Sequence, residues 1–179
     1  MFTRVSLKAK VLRFLLITIA VVVMMVAHVV VNPMTQAHKA KVLFLCTGNS
    51  CRSQMAEGWA RWFHSDCIDA FSAGTIAQGL NPNAVVVMAE EGVDISHHQS
   101  KRLVDLDMDF DYVITVCGNA QASCPIFPGK AKVIHYGFDD PPALAKGAAS
   151  EQEALEHYRR VCREVRDWVK CLPQTLGIC

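Results

Sequence analysis

An apolar run that ends in a cysteine, followed by a short polar loop and a helix, most constrains how this chain can fold. Residues 42–45 are all apolar and lead into Cys46, which indicates a buried strand. After the loop 47–51, Met55 and Trp59 recur at helical spacing. A strand, a tight loop and a helix N-terminus form a cradle in which main-chain N–H groups and the helix dipole attract a tetrahedral oxyanion.

Three side chains of this segment predict the chemistry of the cradle. Cys46 lies where the positive field of the helix N-terminus favours its thiolate, which is a strong nucleophile. Arg52 can hold two oxygens with its planar guanidinium, and Ser53 can donate a hydrogen bond to the thiolate. The alternative is a buried core thiol at a strand end, but the Cys-x5-Arg-Ser spacing favours the oxyanion site. The predicted oxyanion-binding residues are Thr47, Gly48, Asn49, Ser50, Cys51, Arg52 and Ser53.

The first 33 residues differ in composition from the rest of the chain. Their charged residues are all basic, and residues 14–31 contain no formal charge. As a helix, residues 14–31 would be about 27 Å long, which is close to the thickness of a bilayer core. Three interpretations stay open: a membrane anchor, a cleaved signal peptide, or a chain whose true start is Met34. We therefore expect a hydrophobic leader, residues 1–33, and a domain, residues 34–179.

Charge and cysteine spacing limit the partners of that domain. The whole chain has 18 basic and 17 acidic residues, and without the basic leader the domain is mildly acidic. It has no basic run, so nucleic-acid binding is not expected. The 8 cysteines include no Cys-x2-Cys pair, and no metal site is expected. A domain of this size can build its own core, so we expect reduced cysteines with a redox-active subset.

Strands alternate with helices along the domain. The predicted strands are residues 41–45, 70–74, 112–117 and 132–136. The predicted helices are residues 53–63, 81–92 and 150–172, and residues 103–108 are a short helix or a turn. The last helix begins with a Ser150 and Glu153 capping box. This order predicts an α/β fold with a mostly parallel sheet, helices on both faces, and a ligand site at the carboxyl ends of the strands.

Two further groups of residues fall at such strand ends. Cys117 ends the third strand, and Cys124 follows seven residues later. In a helix their Cα atoms would be about 10 Å apart, whereas a disulfide needs roughly 7 Å, so the pair can join only if the segment unwinds. They are either unrelated thiols or, beside a nucleophilic Cys46, a redox relay. Asp140 follows the fourth strand and is either a turn residue before prolines or a proton donor to a leaving oxygen.

These motifs together resemble the thioredoxin-coupled arsenate reductases, which share the low-molecular-weight protein tyrosine phosphatase fold. The resemblance covers about residues 40–172 and implies a four-stranded parallel sheet flanked by helices. The segments that carry it are residues 46–59, 72–74, 81–82, 94–96, 116–117, 124–125 and 137–141.

The resemblance implies a relay of three cysteines. Cys46 attacks arsenate, with Asp140 as the proton donor, and Cys117 then attacks the arseno-cysteine. Arsenite leaves, and Cys124 finally takes over the disulfide with Cys117 for reduction by thioredoxin. No bound cofactor is implied, and the chain is expected to act as a monomer. Because the reductant is cytoplasmic, we expect a cytoplasmic domain, tethered to a membrane only if residues 14–31 form an anchor.

The resemblance also raises the question of a potassium ion. Several family members hold one with residues that match Asn49, Glu57 and Ser72, and with an acid at the position of Lys101. Here that acid is a lysine, whose ammonium is expected to replace the ion near Glu57. No potassium requirement is therefore expected.

Two other functions stay open from the sequence. A low-molecular-weight protein tyrosine phosphatase would use the same cradle, since phosphate and arsenate share shape and charge. Such phosphatases usually carry an aromatic residue after Asp-Pro, whereas Pro142 and Ala143 follow here, and their chemistry does not need Cys117 or Cys124. A membrane-tethered, non-catalytic oxyanion sensor would not need an intact set of catalytic residues.

Overall fold

The computed structural model describes residues 15–19, 38–117 and 130–178. The chain divides into two units, Met1–Ala37 and His38–Cys179. In the first unit, the described residues 15–19 are helical and exposed. No helix within the described ranges is long and apolar enough to cross a membrane. The expected hydrophobic helix over residues 14–31 falls mostly outside these ranges and is not confirmed.

The second unit alternates strands and helices. Its strands are β1 Ala40–Cys46, β2 Ile68–Gly74, β3 Tyr112–Thr115 and β4 Lys132–His135. Its α-helices are α1 Arg52–His64, α2 Pro82–Glu90, α3 Pro141–Ala145, α4 Glu151–Lys170 and α5 Leu172–Leu176, with a 3-10 helix at Leu103–Asp105. The four strands confirm those predicted from the sequence, within two residues at each end. Helix α3 was not predicted.

The four strands form one sheet in the order β2-β1-β3-β4, and every neighbouring pair is parallel. The central strand β1 places Phe44 opposite Ser72 of β2 and Ile114 of β3. Because all strands run the same way, their carboxyl ends meet at one edge. Cys46 at the end of β1 pairs there with Gly74 at the end of β2.

The two faces of the sheet are covered differently. Alternate residues of β1, such as Val42 and Phe44, lie in a core shared with α1, α2 and α4. Leu43 and Leu45 point the other way and pack with residues of the segment 103–110, which contains the 3-10 helix. Within the described residues, the long helices therefore cover one face. Helices on both faces stay a prediction.

Helix boundaries show where local signals held and where they failed. Ser150 Oγ accepts from Glu153 N at 3.1 Å, but the Glu153 carboxylate accepts from Ala149 N, so only half of the capping box forms. The helix predicted to end at residue 172 ends at Lys170 instead. The helix ends early because Pro173 has no N–H to donate to the carbonyl of Val169. His64 Nε2 lies 2.9 Å from that carbonyl oxygen instead.

Candidate active site

The thiol of Cys46 lies at the bottom of the loop between β1 and α1. Its Sγ accepts from the Asn49 N–H at 3.1 Å and lies 2.9 Å from Ser53 Oγ. The residue is 4% exposed, so few water molecules compete for the sulfur. This arrangement confirms the predicted contact with Ser53 and places two hydrogen-bonding groups at the sulfur.

The main-chain carbonyls of the loop all point outward. Each carbonyl of residues 46–51 accepts a hydrogen bond from a group outside the loop or from the first turn of α1. The donors are Thr75 N, Ile76 N, Gln78 N, Gln54 Nε2, Asn81 N and Met55 N, at 2.9–3.2 Å. Ser100 Oγ adds a second bond to Gly48 O. With the carbonyls bound in this way, the main-chain N–H groups of the loop are left for an oxyanion, and the Asn49 N–H already donates to Cys46 Sγ.

Asn49 holds the turn of the loop together. It has φ of 45°, in the left-handed region that asparagine tolerates better than most residues. Its side-chain amide donates to Ser53 Oγ at 3.0 Å and to Ser72 Oγ at 2.8 Å. Its Oδ1 accepts from Lys101 N and Gln54 Nε2. All hydrogen-bonding positions of the amide are used, so its orientation is fixed.

Arg52 joins the loop to the segment after β4. Its two terminal nitrogens donate to Phe138 O at 3.0 Å and to Asp140 Oδ1 at 2.9 Å. The Arg52 side chain is 14% exposed and that of Asp140 is 45% exposed. The ion pair therefore brings the predicted proton donor to the open side of the predicted oxyanion site.

The second predicted redox cysteine lies at the same edge of the sheet. Cys117 is buried, and its Sγ lies 3.6 Å from Thr47 Oγ1 in the oxyanion loop. Cys117 therefore lies beside the loop that carries Cys46, at the carboxyl edge of the sheet where it was predicted. Cys124 lies outside the described residues, so its position relative to Cys117 stays a prediction.

The remaining described cysteines have other surroundings. Cys51 contributes its main chain to the loop, but its thiol lies in the core, where burial raises the pKa of that thiol. Burial also raises the pKa of Cys162 to about 11, so both thiols stay protonated near neutral pH. Cys171 is a free, exposed thiol. Cys67 is disulfide-bonded, in contrast to the expected reduced state.

The surroundings of Glu57 correct the expectation for Lys101. Glu57 is 2% exposed, accepts from Ser72 Oγ, and forms an ion pair with Arg61 one turn further along α1. The ammonium of Lys101 donates to Gln99 O instead, although its main-chain N–H holds Asn49. The cation beside Glu57 is thus Arg61, because an i,i+4 pair on one helix is already in reach. Within the described ranges no cluster of His, Cys, Asp or Glu could hold a metal.

Sequence reasoning missed the residues that hold the loop from outside. Thr75, Ile76 and Gln78 follow β2 and donate to the loop's carbonyls. Asn81 donates to Ser50 O and also caps α2, accepting from two N–H groups of its first turn. The available signal was Gly74, since a glycine inside a buried strand, here at its end, often marks a close approach of two backbones.

Replacing Gly74 by alanine is expected to weaken both the fold and the loop. A Cβ there would lie 2.3 Å from Ile76 O and 2.7 Å from both Asn49 N and Thr47 O. Such overpacking costs roughly 1–3 kcal/mol and here displaces main chain. The urea midpoint and the affinity for phosphate, measured by calorimetry, should both fall. Gly147→Ala, whose Cβ would meet its nearest atom at 3.9 Å, should change neither; unaltered phosphate affinity in Gly74→Ala would contradict this role.

A parallel four-stranded sheet with a Cys-x5-Arg-Ser loop at its carboxyl edge defines a class of phosphate-binding enzyme. Residues 41–177 match the family model described as low molecular weight phosphotyrosine protein phosphatase, and the chain belongs to this family.

Similar proteins in this family are named either as arsenate reductases or as phosphatases. An arsenate reductase of Bacillus licheniformis is 47% identical over 139 residues, which cover 76% of this chain and 97% of that protein. A solved arsenate reductase in a phosphate-binding state is 31% identical with a TM-score of 0.63, covering 76% of this chain and 98% of the other. A low molecular weight protein tyrosine phosphatase of T. tengcongensis is 29% identical with a TM-score of 0.60, at 76% and 99% coverage.

Proposed function

We propose that this protein reduces arsenate to arsenite with a relay of Cys46, Cys117 and Cys124. The observation that carries the proposal is the second buried thiol at the loop, since Cys117 Sγ lies 3.6 Å from Thr47 Oγ1. Hydrolysis of a phosphate ester has no use for a second thiol at this place. The similarity to named arsenate reductases over most of the domain supports the same conclusion.

The first step is the binding of arsenate and attack by the thiolate. The inward N–H groups of the loop and the Arg52 guanidinium neutralise the oxyanion's charge without rearrangement of the main chain. Cys46 Sγ forms a bond to arsenic, and an oxygen leaves as water. Asp140 is held beside the loop by Arg52; when the oxyanion takes over the guanidinium, the Asp140 carboxylate takes up a proton from solvent and donates it to this oxygen.

The second step moves two electrons to arsenic. The Cys117 thiolate attacks Cys46 Sγ, so a sulfur–sulfur bond forms while the sulfur–arsenic bond breaks. The electron pair of the broken bond stays on arsenic, which leaves as arsenite. Cys124 then attacks Cys117 and releases Cys46 as a thiolate, and thioredoxin reduces the Cys117–Cys124 disulfide by the same exchange.

The alternative function is hydrolysis of phosphotyrosine. Its support is the family itself and the loop, which accepts phosphate as readily as arsenate. The residues after Asp140 are Pro141, Pro142 and Ala143, which form the start of α3 and offer no aromatic ring for a phenyl group to stack on. Slow hydrolysis of small aryl phosphates is expected as a side activity. A non-catalytic oxyanion sensor is the weaker alternative, because it would not use the nucleophile, the proton donor and the second thiol together.

The deciding experiment compares both reactions with one preparation of the purified protein. Arsenite release should be sustained with thioredoxin, thioredoxin reductase and NADPH, and it should stop when thioredoxin is omitted. Phosphotyrosine peptides should be hydrolysed no faster than a small aryl phosphate. Efficient hydrolysis of the peptide without thioredoxin-dependent arsenite release would instead assign the phosphatase function.

The proposed reductant also indicates where the domain works. Thioredoxin is kept reduced by NADPH in the cytoplasm, so we place the domain there, with the arsenate oxyanion and thioredoxin as its partners and one chain as the working unit. Whether residues 1–33 are translated, cleaved or anchored in a membrane follows from the mass of the native N-terminus, which mass spectrometry measures.

We expect no specific effect of potassium on this protein. Glu57, the buried carboxylate that matches a ligand of the ion in several family members, already has a guanidinium partner in Arg61. Arsenate turnover and the melting temperature should therefore be the same in potassium and sodium salts at equal ionic strength. A higher melting temperature in potassium alone would show that an ion binds despite Arg61.

A further inference from the structure

The buried carboxylate of Glu57, which is paired with a half-exposed arginine, is linked to Cys46 by a chain of hydrogen bonds. Glu57 is 2% exposed, and in the described part of the chain its one ion-pair partner is Arg61, whose side chain is 47% exposed. Arg61 Nε and Nη2 also donate to Ala70 O in β2, at 3.3 and 3.2 Å. The guanidinium is thus fixed to the sheet as well as to its own helix. A buried carboxylate without such a partner would be strongly unfavourable in its charged form.

The chain from Glu57 to Cys46 has defined donors and acceptors. An ionised carboxylate only accepts, so the single proton of Ser72 Oγ goes to Glu57. Ser72 must then accept from the Asn49 amide, whose second proton goes to Ser53 Oγ. Ser53 therefore has its own proton free for Cys46 Sγ at 2.9 Å.

We propose that Arg61 is a positioning residue for the nucleophile: by keeping Glu57 ionised, it anchors Ser72 and, through Asn49, both donors to Cys46 Sγ. Asn49 supplies one donor directly through its main-chain N–H and the other through Ser53. The proposal rests on the role of Cys46 as the nucleophile. It assigns a function to a half-exposed arginine that touches neither the oxyanion loop nor the sulfur.

The other charged groups near this chain do not replace Arg61. His98 lies close enough to interact with Glu57, but burial lowers the pKa of His98 and keeps it neutral near pH 7. The Lys101 ammonium donates to Gln99 O. On the loop side, Arg52 is paired with Asp140. Without Arg61, Glu57 must either take up a proton or stay charged without its partner. Protonation weakens the anchor of Ser72, and an unpaired carboxylate leaves its negative charge uncompensated near Cys46, so both outcomes disfavour a thiolate.

The test measures the reactivity of Cys46 without using arsenate. Iodoacetamide alkylation of the Cys46 peptide is followed by mass spectrometry across a range of pH, in the full chain and under reducing conditions. Arg61→Ala should slow alkylation near neutral pH by roughly tenfold and move the midpoint of the pH profile up by about one unit. Arg61→Lys should keep most of the rate. Guanidinium chloride at a non-denaturing millimolar concentration, but not sodium chloride, should restore the alkylation rate of Cys46 in Arg61→Ala.

Two further variants separate positioning from a structural effect. Glu57→Gln removes the charge that Arg61 keeps in place, so it should slow alkylation much as Arg61→Ala does, and adding Arg61→Ala to it should cause little further loss. Arg166→Ala removes a remote arginine ion pair and is the matched control. The proposal is overturned if Arg61→Ala behaves like Arg166→Ala. It is also overturned if its loss persists in full beside Glu57→Gln, or if neither lysine nor guanidinium restores the rate. Because arsenate is absent, these results stand apart from the outcome of the arsenate assay.

Discussion

Replacing Cys46 by serine is expected to abolish arsenate reduction and aryl phosphate hydrolysis together, each by at least about a thousandfold. A serine hydroxyl is far less ionised than a thiol, and the two donors that face Cys46 Sγ cannot make up that difference. Phosphate binding, measured by calorimetry, should remain, because the inward N–H groups of the loop are unchanged. The assays are arsenite release with thioredoxin and hydrolysis of a small aryl phosphate.

The matched control for this experiment is Cys171→Ser. Cys171 is an exposed free thiol between α4 and α5, distant in sequence from the loop. The Cys171→Ser variant should keep both activities and the urea midpoint of the unsubstituted protein. If Cys46→Ser kept aryl phosphate hydrolysis, the nucleophile would be another group, and the proposed first step would be wrong.

Replacing Cys117 or Cys124 by serine should separate the two activities. Both variants should lose sustained arsenate turnover with thioredoxin while they still hydrolyse a small aryl phosphate, since that reaction needs only the loop. Cys117→Ser should release no arsenite even in a single turnover, because nothing attacks the arseno-cysteine. Cys124→Ser should release one arsenite per chain and then stop as a Cys46–Cys117 disulfide, which mass spectrometry detects.

Each variant should stop at a different step of the relay, so two results would contradict it. Sustained thioredoxin-dependent turnover by Cys124→Ser would show that thioredoxin attacks the Cys46–Cys117 disulfide directly, and the three-cysteine relay would be wrong. A stoichiometric burst of arsenite from Cys117→Ser would remove Cys117 from the electron-transfer step, although it lies beside Thr47.

Local patterns in the sequence were sufficient for the order of elements and the position of the loop. A buried strand, a polar loop and an apolar-faced helix are each defined by residues close in sequence, so Ala40–Cys46 and Arg52–His64 were predicted to within one residue at each end. The end of α4 was predicted two residues too late. The apolar residues continue at helical spacing to Leu172, but Pro173 ends the helix at Lys170. The spacing of apolar residues indicates which face of a helix is buried, but it does not indicate whether each residue has a main-chain N–H for the helix hydrogen bonds.

The partners of charged groups could not be predicted in the same way. Lys101 was expected beside Glu57 because it occupies the position of an acid in related proteins, yet Arg61 forms the ion pair. Both side chains are long and flexible, so position in the sequence allows either to reach the carboxylate. Packing decided the outcome, because the Ala70 carbonyl of β2 holds the Arg61 guanidinium and Gln99 O holds the Lys101 ammonium.

The sequence by itself determined the strand-to-helix loop that places Cys46, Arg52 and Ser53 together, and the parallel order of elements that brings strand ends together. Only the tertiary structure decided how the loop is held, through the outward carbonyls bound by residues 75–81, and which cation neutralises Glu57. The physical reason is distance along the chain. A strand-to-helix loop forms from neighbours in sequence, whereas its rigidity comes from hydrogen bonds to β2, α2 and the segment around Gln99, whose approach depends on the packing of the whole domain.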